Sequence, residues 1–255
     1  MKPSERREEI VRLVREHLRM SVEELSSVLD ASKETVRRDL QVLAEEGRIR
    51  KVHGSAVLPD SNTENAFQIR MGEATPQKKA IALTAAKLFK PGESLFIDTG
   101  TTTLAFAEEL ANYAGLTVIT NSATIAQMIG QGMGKNKVFL LGGEYREESS
   151  QNVGTFVIEQ ISRFRADHAV LTVGAVSRFG VMNFSLEEAD VARAMVLNSR
   201  SVTVLADSSK LGHEASFPWS PLSGIHRLVT NEPLEDRELS NALVVAGVEV
   251  VTAGA

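Results

Sequence analysis

In the stretch S-K-E-T-V-R-R-D-L-Q-V-L-A-E-E-G-R-I-R-K-V-H-G-S-A, Ser32 to Ala56, the apolar positions Val36, Leu40 and Leu43 recur at helical spacing. A helix built on them packs against a core by one side only. At about 100° per residue, Glu34, Arg38 and Gln41 fall on the opposite face, flanked by Thr35 and Arg37. Ser32 can cap the start and Gly47 can end the helix. The following R-I-R-K-V-H-G-S-A alternates basic and apolar residues and turns on Gly54, the pattern of a basic strand. Upstream, Ser21-Val22-Glu23-Glu24 reads as a capping box ahead of apolar Val22, Leu25, Val28 and Leu29, with only Asp30-Ala31 before the cap at Ser32. Two capped helices on so short a link predict a helix-turn-helix. A further helix over Glu5 to Leu18, apolar at Ile10, Val11, Leu13, Val14 and Leu18, plus the basic strand as a wing, completes a winged module.

The pattern then lapses. Pro59 to Asn65 is polar, opens on proline and has no apolar period, which marks a linker. Phe67, Ile69 and Arg70 begin either an arm that couples two domains or a plain linker ending in one anchoring aromatic. From Thr75 the chain alternates helices and strands. Thr75-Pro76 is expected to cap a helix through Phe89, and short apolar strands are expected at 94–98, 116–120, 137–141, 169–173, 201–206, 226–230 and 248–252. Helical segments between them include Thr102 to Tyr113, Ala123 to Ile129, Glu187 to Leu197 and Glu235 to Val245. Continuously apolar strands separated by helices predict a parallel sheet covered on both faces, so the fold class is α/β, doubly wound, behind a small winged domain. The expected domains are 1–58, a linker 59–74, and an α/β body 75–255.

The polar residues left over by this pattern carry the chemistry. Ser32, Lys33, Glu34, Thr35, Arg37, Arg38 and Gln41 on the capped helix, with Arg48, Arg50, Lys51 and His53 along the strand, provide groups for base edges and cations for phosphates. The blander alternative is a helical hairpin with solvated charges, and the basic strand weighs against it. His53 lacks a nearby partner of metal-ligand type and reads as a wing-turn residue; no metal site and no cofactor are expected. In the body, ligands of such sheets bind beyond the carboxyl ends of the strands. The residues there are D-T-G-T-T-T (98–103), T-N-S (120–122), G-G-E (142–144), G-A-V-S (174–177), D-S-S-K-L-G (207–212) and T-N-E (230–232). Gly100, Thr101, Thr102 and Thr103 at a helix start suit a phosphate. Asp98 and Asn121 can hold sugar hydroxyls, Ser122 and Gly174 are expected in the same effector site, and Asp207 with Lys210 supplies one charge of each sign. Each of these loops alone is an ordinary βα turn; their convergence on one rim is the signal. Gly142-Gly143 suits close backbone approach, Trp219 a loop anchor, and Met182, Asn183 and Phe184 the choice among sugars.

T-V-R-R-D-L-x-x-L-x-x-x-G-x-I-x-x-V-H-G-S-A, Thr35 to Ala56, resembles the DNA-binding domain of the DeoR family of bacterial transcriptional regulators. D-x-G-T-T, T-N-S, a later G-G and D-S-S-K-x-G resemble that family's effector domain. The resemblance implies a body related to ribose-5-phosphate isomerase and an inducer that is usually a phosphorylated sugar.

Composition adjusts this picture in two places. Residues 1–58 carry twelve Lys+Arg against eleven Asp+Glu, and the remainder sixteen against twenty-two, so bulk charge gives little DNA affinity and oligomerisation with base contacts must supply it. This favours a specific regulator over a packaging protein. Absence of cysteine, a charged opening segment and no membrane-length apolar run point to a cytoplasmic protein with no membrane partner. The expected partners are operator DNA, a phosphorylated sugar and further copies of the chain as a homodimer or homotetramer. The expected function is repression of sugar catabolism or transport genes. The alternative is an isomerase-like enzyme with an extra domain, for which Asp98, Glu144, Glu187 and Asp207 are candidate bases. A nucleotide-binding adaptor is excluded for want of G-x-G-x-x-G.

Overall fold

A computed structural model of the chain describes residues 2–17, 19–45, 48–52, 54–57 and 64–254. The chain divides into two compact units, Met1–Ile69 and Arg70–Ala255. No helix among the described residues is long and apolar enough to cross a membrane.

In the first unit α1 (Pro3–His17), α2 (Val22–Val28) and α3 (Lys33–Glu45) enclose a core with β1 (Arg19–Ser21), β2 (Arg50–Val52) and β3 (Ser55–Val57). Both arms of the Ser21–Glu24 capping box are present. Ser32 Oγ accepts from the Thr35 N–H at 3.2 Å, as its predicted cap role requires. Ile10, Val14, Leu25, Val36 and Leu43 are fully buried. Val28, expected in that core, is 59% exposed: it falls beyond the edge of the stripe made by Val22, Leu25 and Leu29. The wing is a three-stranded antiparallel sheet in the order β1-β3-β2. Its β1 was not legible, because three residues are too few for a period to register. Gly54, at φ 77°, makes the turn between β2 and β3 in the left-handed region that glycine adopts freely. Leu18, Gly47 and His53 lie outside the described residues.

The second unit runs through α4 (Phe67–Gly72), which contains the division, α5 (Thr75–Ala86), β4 (Ser94–Ile97), α6 (Thr101–Leu110), β5 (Thr117–Thr120), α7 (Ala123–Gln131) and β6 (Lys137–Leu140). It continues with β7 (Glu144–Arg146), β8 (Gln151–Val153), α8 (Thr155–Ile161), β9 (Ala166–Thr172), β10 (Ala175–Ser177), β11 (Gly180–Asn183) and α9 (Leu186–Leu197). Last come β12 (Ser199–Leu205), β13 (Phe217–Ser220), β14 (Arg227–Thr230), α10 (Arg237–Val245) and β15 (Glu249–Thr252). The seven predicted strands form one parallel sheet in the order β15-β14-β12-β9-β4-β5-β6. The strand order reverses at β4. Right-handed crossovers running opposite ways from that point put α6 and α7 on one face and α9 and α10 on the other, so the body is doubly wound.

Several local expectations are corrected. Ala74, not Thr75, precedes α5, and the Thr75 hydroxyl turns back toward the carbonyls of Met71 and Gly72. The helix also ends at Ala86 instead of Phe89. The sheet β10-β11-β13, the ribbon β7-β8 and α8 were not predicted. Every residue of β10 and β11 is buried, which removes the polar alternation that marks an antiparallel strand. Trp219, expected in a loop, sits in β13 and belongs to the body's core. A Cβ at Gly143 would come within 2.7 Å of the Val153 carbonyl, so close approach holds there; at Gly142 it would meet only the Gln160 amide, at 3.8 Å, an ordinary contact.

Candidate functional site

On the first unit, α3 presents Lys33, Glu34, Thr35, Arg37, Arg38 and Gln41 away from its buried stripe. The Arg38 side chain is 80% exposed, with Glu34 at 3.5 Å. Arg37 is 3.9 Å from the same carboxylate and Lys33 is 3.0 Å from Glu23. Exposed pairs like these are worth about 0–1 kcal/mol, so a phosphate or base edge can displace them. Lys51 Nζ donates to Gln41 Oε1 at 2.8 Å, which ties the wing to α3. Arg48 instead reaches back to α1 with a two-pronged contact to Glu8 at 2.8 and 2.6 Å, and its guanidinium holds the Glu8 carboxyl below its ordinary range. The Arg50 side chain and the whole of His53 lie outside the described residues.

A residue the sequence reading passed over supports this face. Asp39 Oδ2 accepts from Arg6 Nε at 2.5 Å, with side chains only 9% and 14% exposed, and so fastens α3 to α1. Its signal was its position: three residues after Val36, it falls on the apolar stripe.

Of the body's candidates, Asp98 to Thr103, Asn121, Ser122 and Gly174 follow β4, β5 and β9 around the switch point, whereas Asp207 and Lys210 follow β12, the strand beyond β9. Asp98 follows β4, and both of its carboxylate oxygens accept from the Thr172 N–H at the end of β9, at 3.0 and 3.1 Å. Burial pushes the Asp98 carboxyl well above its ordinary range; the Thr172 N–H opposes that shift and the Glu188 charge adds to it. Gly100 caps α6 without any side-chain hydrogen bond, so the first-turn N–H groups of Thr101, Thr102 and Thr103 have no partner within the helix. All three threonines are buried, and the Thr103 hydroxyl bonds the Gly100 carbonyl at 3.1 Å.

A polar chain continues from there. Thr99 Oγ1 donates to Asn121 Oδ1, Asn121 Nδ2 reaches Gln151 Oε1 and the Asn152 carbonyl, and Gln151 Nε2 donates to Glu188 Oε1 at 2.9 Å. Asn121 is thus engaged in holding the β7-β8 ribbon. Ser122 caps α7, its hydroxyl accepting from the Ile125 N–H. The Gly174 N–H is taken by Asn183 Oδ1 at 2.9 Å, and Met182 Sδ takes the Ala215 N–H, so these also serve the framework. Of the candidate bases, Glu144 and Glu187 both pair with Arg146 on the surface.

Asp207 caps the short turn 208–210 through the Ser209 N–H, with Lys210 at its end. Beside it stands Lys78 of α5, a residue the sequence reading missed. Lys78 is 6% exposed and donates to the carbonyls of Arg70 and Glu73. Burial lowers its ammonium pKa, the Asp207 charge opposes this, and Lys210 reinforces it. Lys78 and Thr101 line one cavity of about 160 Å³ together with Met71, Leu104 and Met128, and Lys79, Glu108 and Glu109 also line it. A larger cavity of about 560 Å³ beyond Ser208 is lined by Glu232, Glu235 and Asp236, a charge unsuited to an anion. The signal for Lys78 was again placement, since it shares a helix face with Ile81, Ala82 and Ala85.

Residues 6–62 match the DeoR-like helix-turn-helix domain and residues 73–232 the DeoR C terminal sensor domain. The glycerol-3-phosphate regulon repressor of Escherichia coli (strain K12) is 34% identical over 236 residues, 91% of this chain and 92% of that protein. The transcriptional repressor CsqR of the same organism is 32% identical over 247 residues, 96% and 94% of the two chains. Among solved structures, ribose 5-phosphate isomerase A of Methanocaldococcus jannaschii is 20% identical over 52% of this chain and 53% of its own, with a TM-score of 0.38.

Proposed function

This chain belongs to the DeoR family of transcriptional regulators, and from that premise we propose that it is a repressor whose residues 1–58 read an operator while residues 75–255 bind a small phosphorylated sugar, joined by 59–74. The observation that carries the effector half is the buried Lys78, which lines one cavity with Thr101 at the uncapped start of α6. One supplies a full positive charge, the other free N–H groups and the positive end of a helix dipole, the combination that selects a phosphate. Asp98 and Asp207 accept from hydroxyls and favour a polyhydroxylated remainder. The relative named for glycerol 3-phosphate, a phosphorylated polyol, supports that chemistry. A regulator has no use for the candidate bases, so the isomerase alternative falls with family membership. One winged unit reads a short site, and a homodimer or homotetramer in the cytoplasm would place several on repeated half-sites.

The test is an operator titration with and without a panel of sugar phosphates preselected by thermal shift, since a ligand specific for the folded state raises its stability. A response of roughly 5- to 150-fold in operator affinity is expected from one of them; a panel that neither stabilises the protein nor moves the titration would refute the effector half. On the DNA side, Arg38→Ala is expected to lose about 1–3 kcal/mol of operator affinity and blur preference at one base position. Lys51→Ala should weaken all sequences alike and reduce the salt slope by about one. Equal loss of specific and non-specific binding in Arg38→Ala would remove that residue from base readout.

A further inference from the structure

Lys78 Nζ donates to the carbonyl of Arg70 at 2.5 Å and to that of Glu73 at 2.7 Å. Arg70 lies in the last turn of α4 and Glu73 just past its end, so one ammonium satisfies carbonyls left by that terminus, with the sign its dipole favours. The turn it spans is held at Ala74 in the left-handed region, φ 49°, which an alanine adopts against its own preference. An ammonium has three donors, and two are taken. Among the described residues no carboxylate lies within ion-pair distance of Nζ, and the Asp207 and Glu73 charges act on it only from beyond contact. A buried charge in that state is an incomplete site.

We propose that Lys78 is a latch completed by the effector: the ligand's phosphate, seated at the start of α6, takes the remaining donor and locks the junction between α4 and α5. The chain passes through that junction on its way from the first unit, so ligand binding in the body is converted into order at Arg70 to Thr75. This rests on the reading that the body takes a phosphorylated ligand. The Lys78 bonds to two carbonyls from outside its own helix are what distinguish a latch from a simple phosphate contact.

The experiment is amide hydrogen exchange on the full chain with and without millimolar inorganic phosphate, in the parent, Lys78→Met and Lys78→Gln. In the parent, phosphate is expected to slow exchange across residues 70–78 by about fivefold or more. Lys78→Met should exchange fast there without ligand and show no phosphate effect. Lys78→Gln keeps donors for the carbonyls but no charge, so it should hold the junction without ligand and still lose the phosphate effect; it also serves if the methionine variant does not fold. Sugar phosphates that bind the parent, with exchange at 70–78 unchanged by phosphate, would overturn the latch and leave the repressor reading standing. Phosphate protection that persists in Lys78→Gln would overturn it equally, and a parent that binds no phosphorylated ligand removes both.

Discussion

Asp39→Ala is expected to abolish measurable operator binding by loosening the helix that carries Arg37 and Arg38, without removing any contact to DNA. The Asp39 carboxylate holds Arg6 across the α1–α3 contact from a position almost closed to solvent. Deleting one partner of a buried pair costs about 3–5 kcal/mol, because a covered contact between α1 and α3 is lost and a cavity is left in its place. A single core of this size supplies only about 3–5 kcal/mol in total, so a loss near that range unfolds the first unit at ordinary temperature. The check pairs thermal unfolding of the first unit with an operator titration. Replacing both partners by apolar residues, Arg6→Met with Asp39→Leu, should restore much of the stability while Arg37 and Arg38 stay in place. If Asp39→Ala instead unfolds like the parent yet fails to bind operator, Asp39 acts at the DNA and its structural role is refuted.

The same residue shows what the sequence could and could not yield. Both elements of the helix-turn-helix were readable because Val36, Leu40 and Leu43 keep a helical period and Ser21 and Ser32 supply caps, all local relations. The seven sheet strands were readable because a strand covered on both faces is one short apolar run. The rim followed from topology, since residues after strand ends must meet there. What failed depends on partners far away along the chain. Asp39 and Lys78 sit on apolar stripes, and only the fold reveals that Arg6 and the Arg70 and Glu73 carbonyls receive them. Conversely, Asn121 and Ser122 have the residue types of ligand contacts, and only the fold shows that Asn121 also donates to the β8 backbone and Ser122 also accepts at the start of α7. Residue type fixes what a side chain can bond; its neighbours decide what it does bond.

Gly100→Ala is expected to damage the body and its ligand response together, and the reason is space instead of backbone conformation. Gly100 is extended, at φ −168°, which any residue adopts. A Cβ there would lie 2.1 Å from Thr172 Cγ2 and 2.8 Å from Thr172 Cβ, inside any tolerable contact. Rotating the threonine relieves the first clash and not the second, so β9 and the loop after β4 must separate. That movement pulls on the Thr172 N–H to Asp98 bonds and displaces the start of α6, where the phosphate is proposed to sit. Overpacking of this kind costs about 1–3 kcal/mol. For a body of this size each kcal/mol lowers Tm by about 2–4 °C, so calorimetry should find a drop of roughly 2–12 °C. Thr172→Ala removes Cγ2 and Oγ1 and leaves one close atom, so the double variant should recover part of the loss, with a coupling of about 0.5–3 kcal/mol in a mutant cycle. Ligand response should recover in step with stability if the strand separation is the cause. Parental Tm and a parental operator response in Gly100→Ala would show that the loop has room for a methyl group, and the proposed seating of phosphate against an uncrowded Gly100 backbone would lose its steric basis.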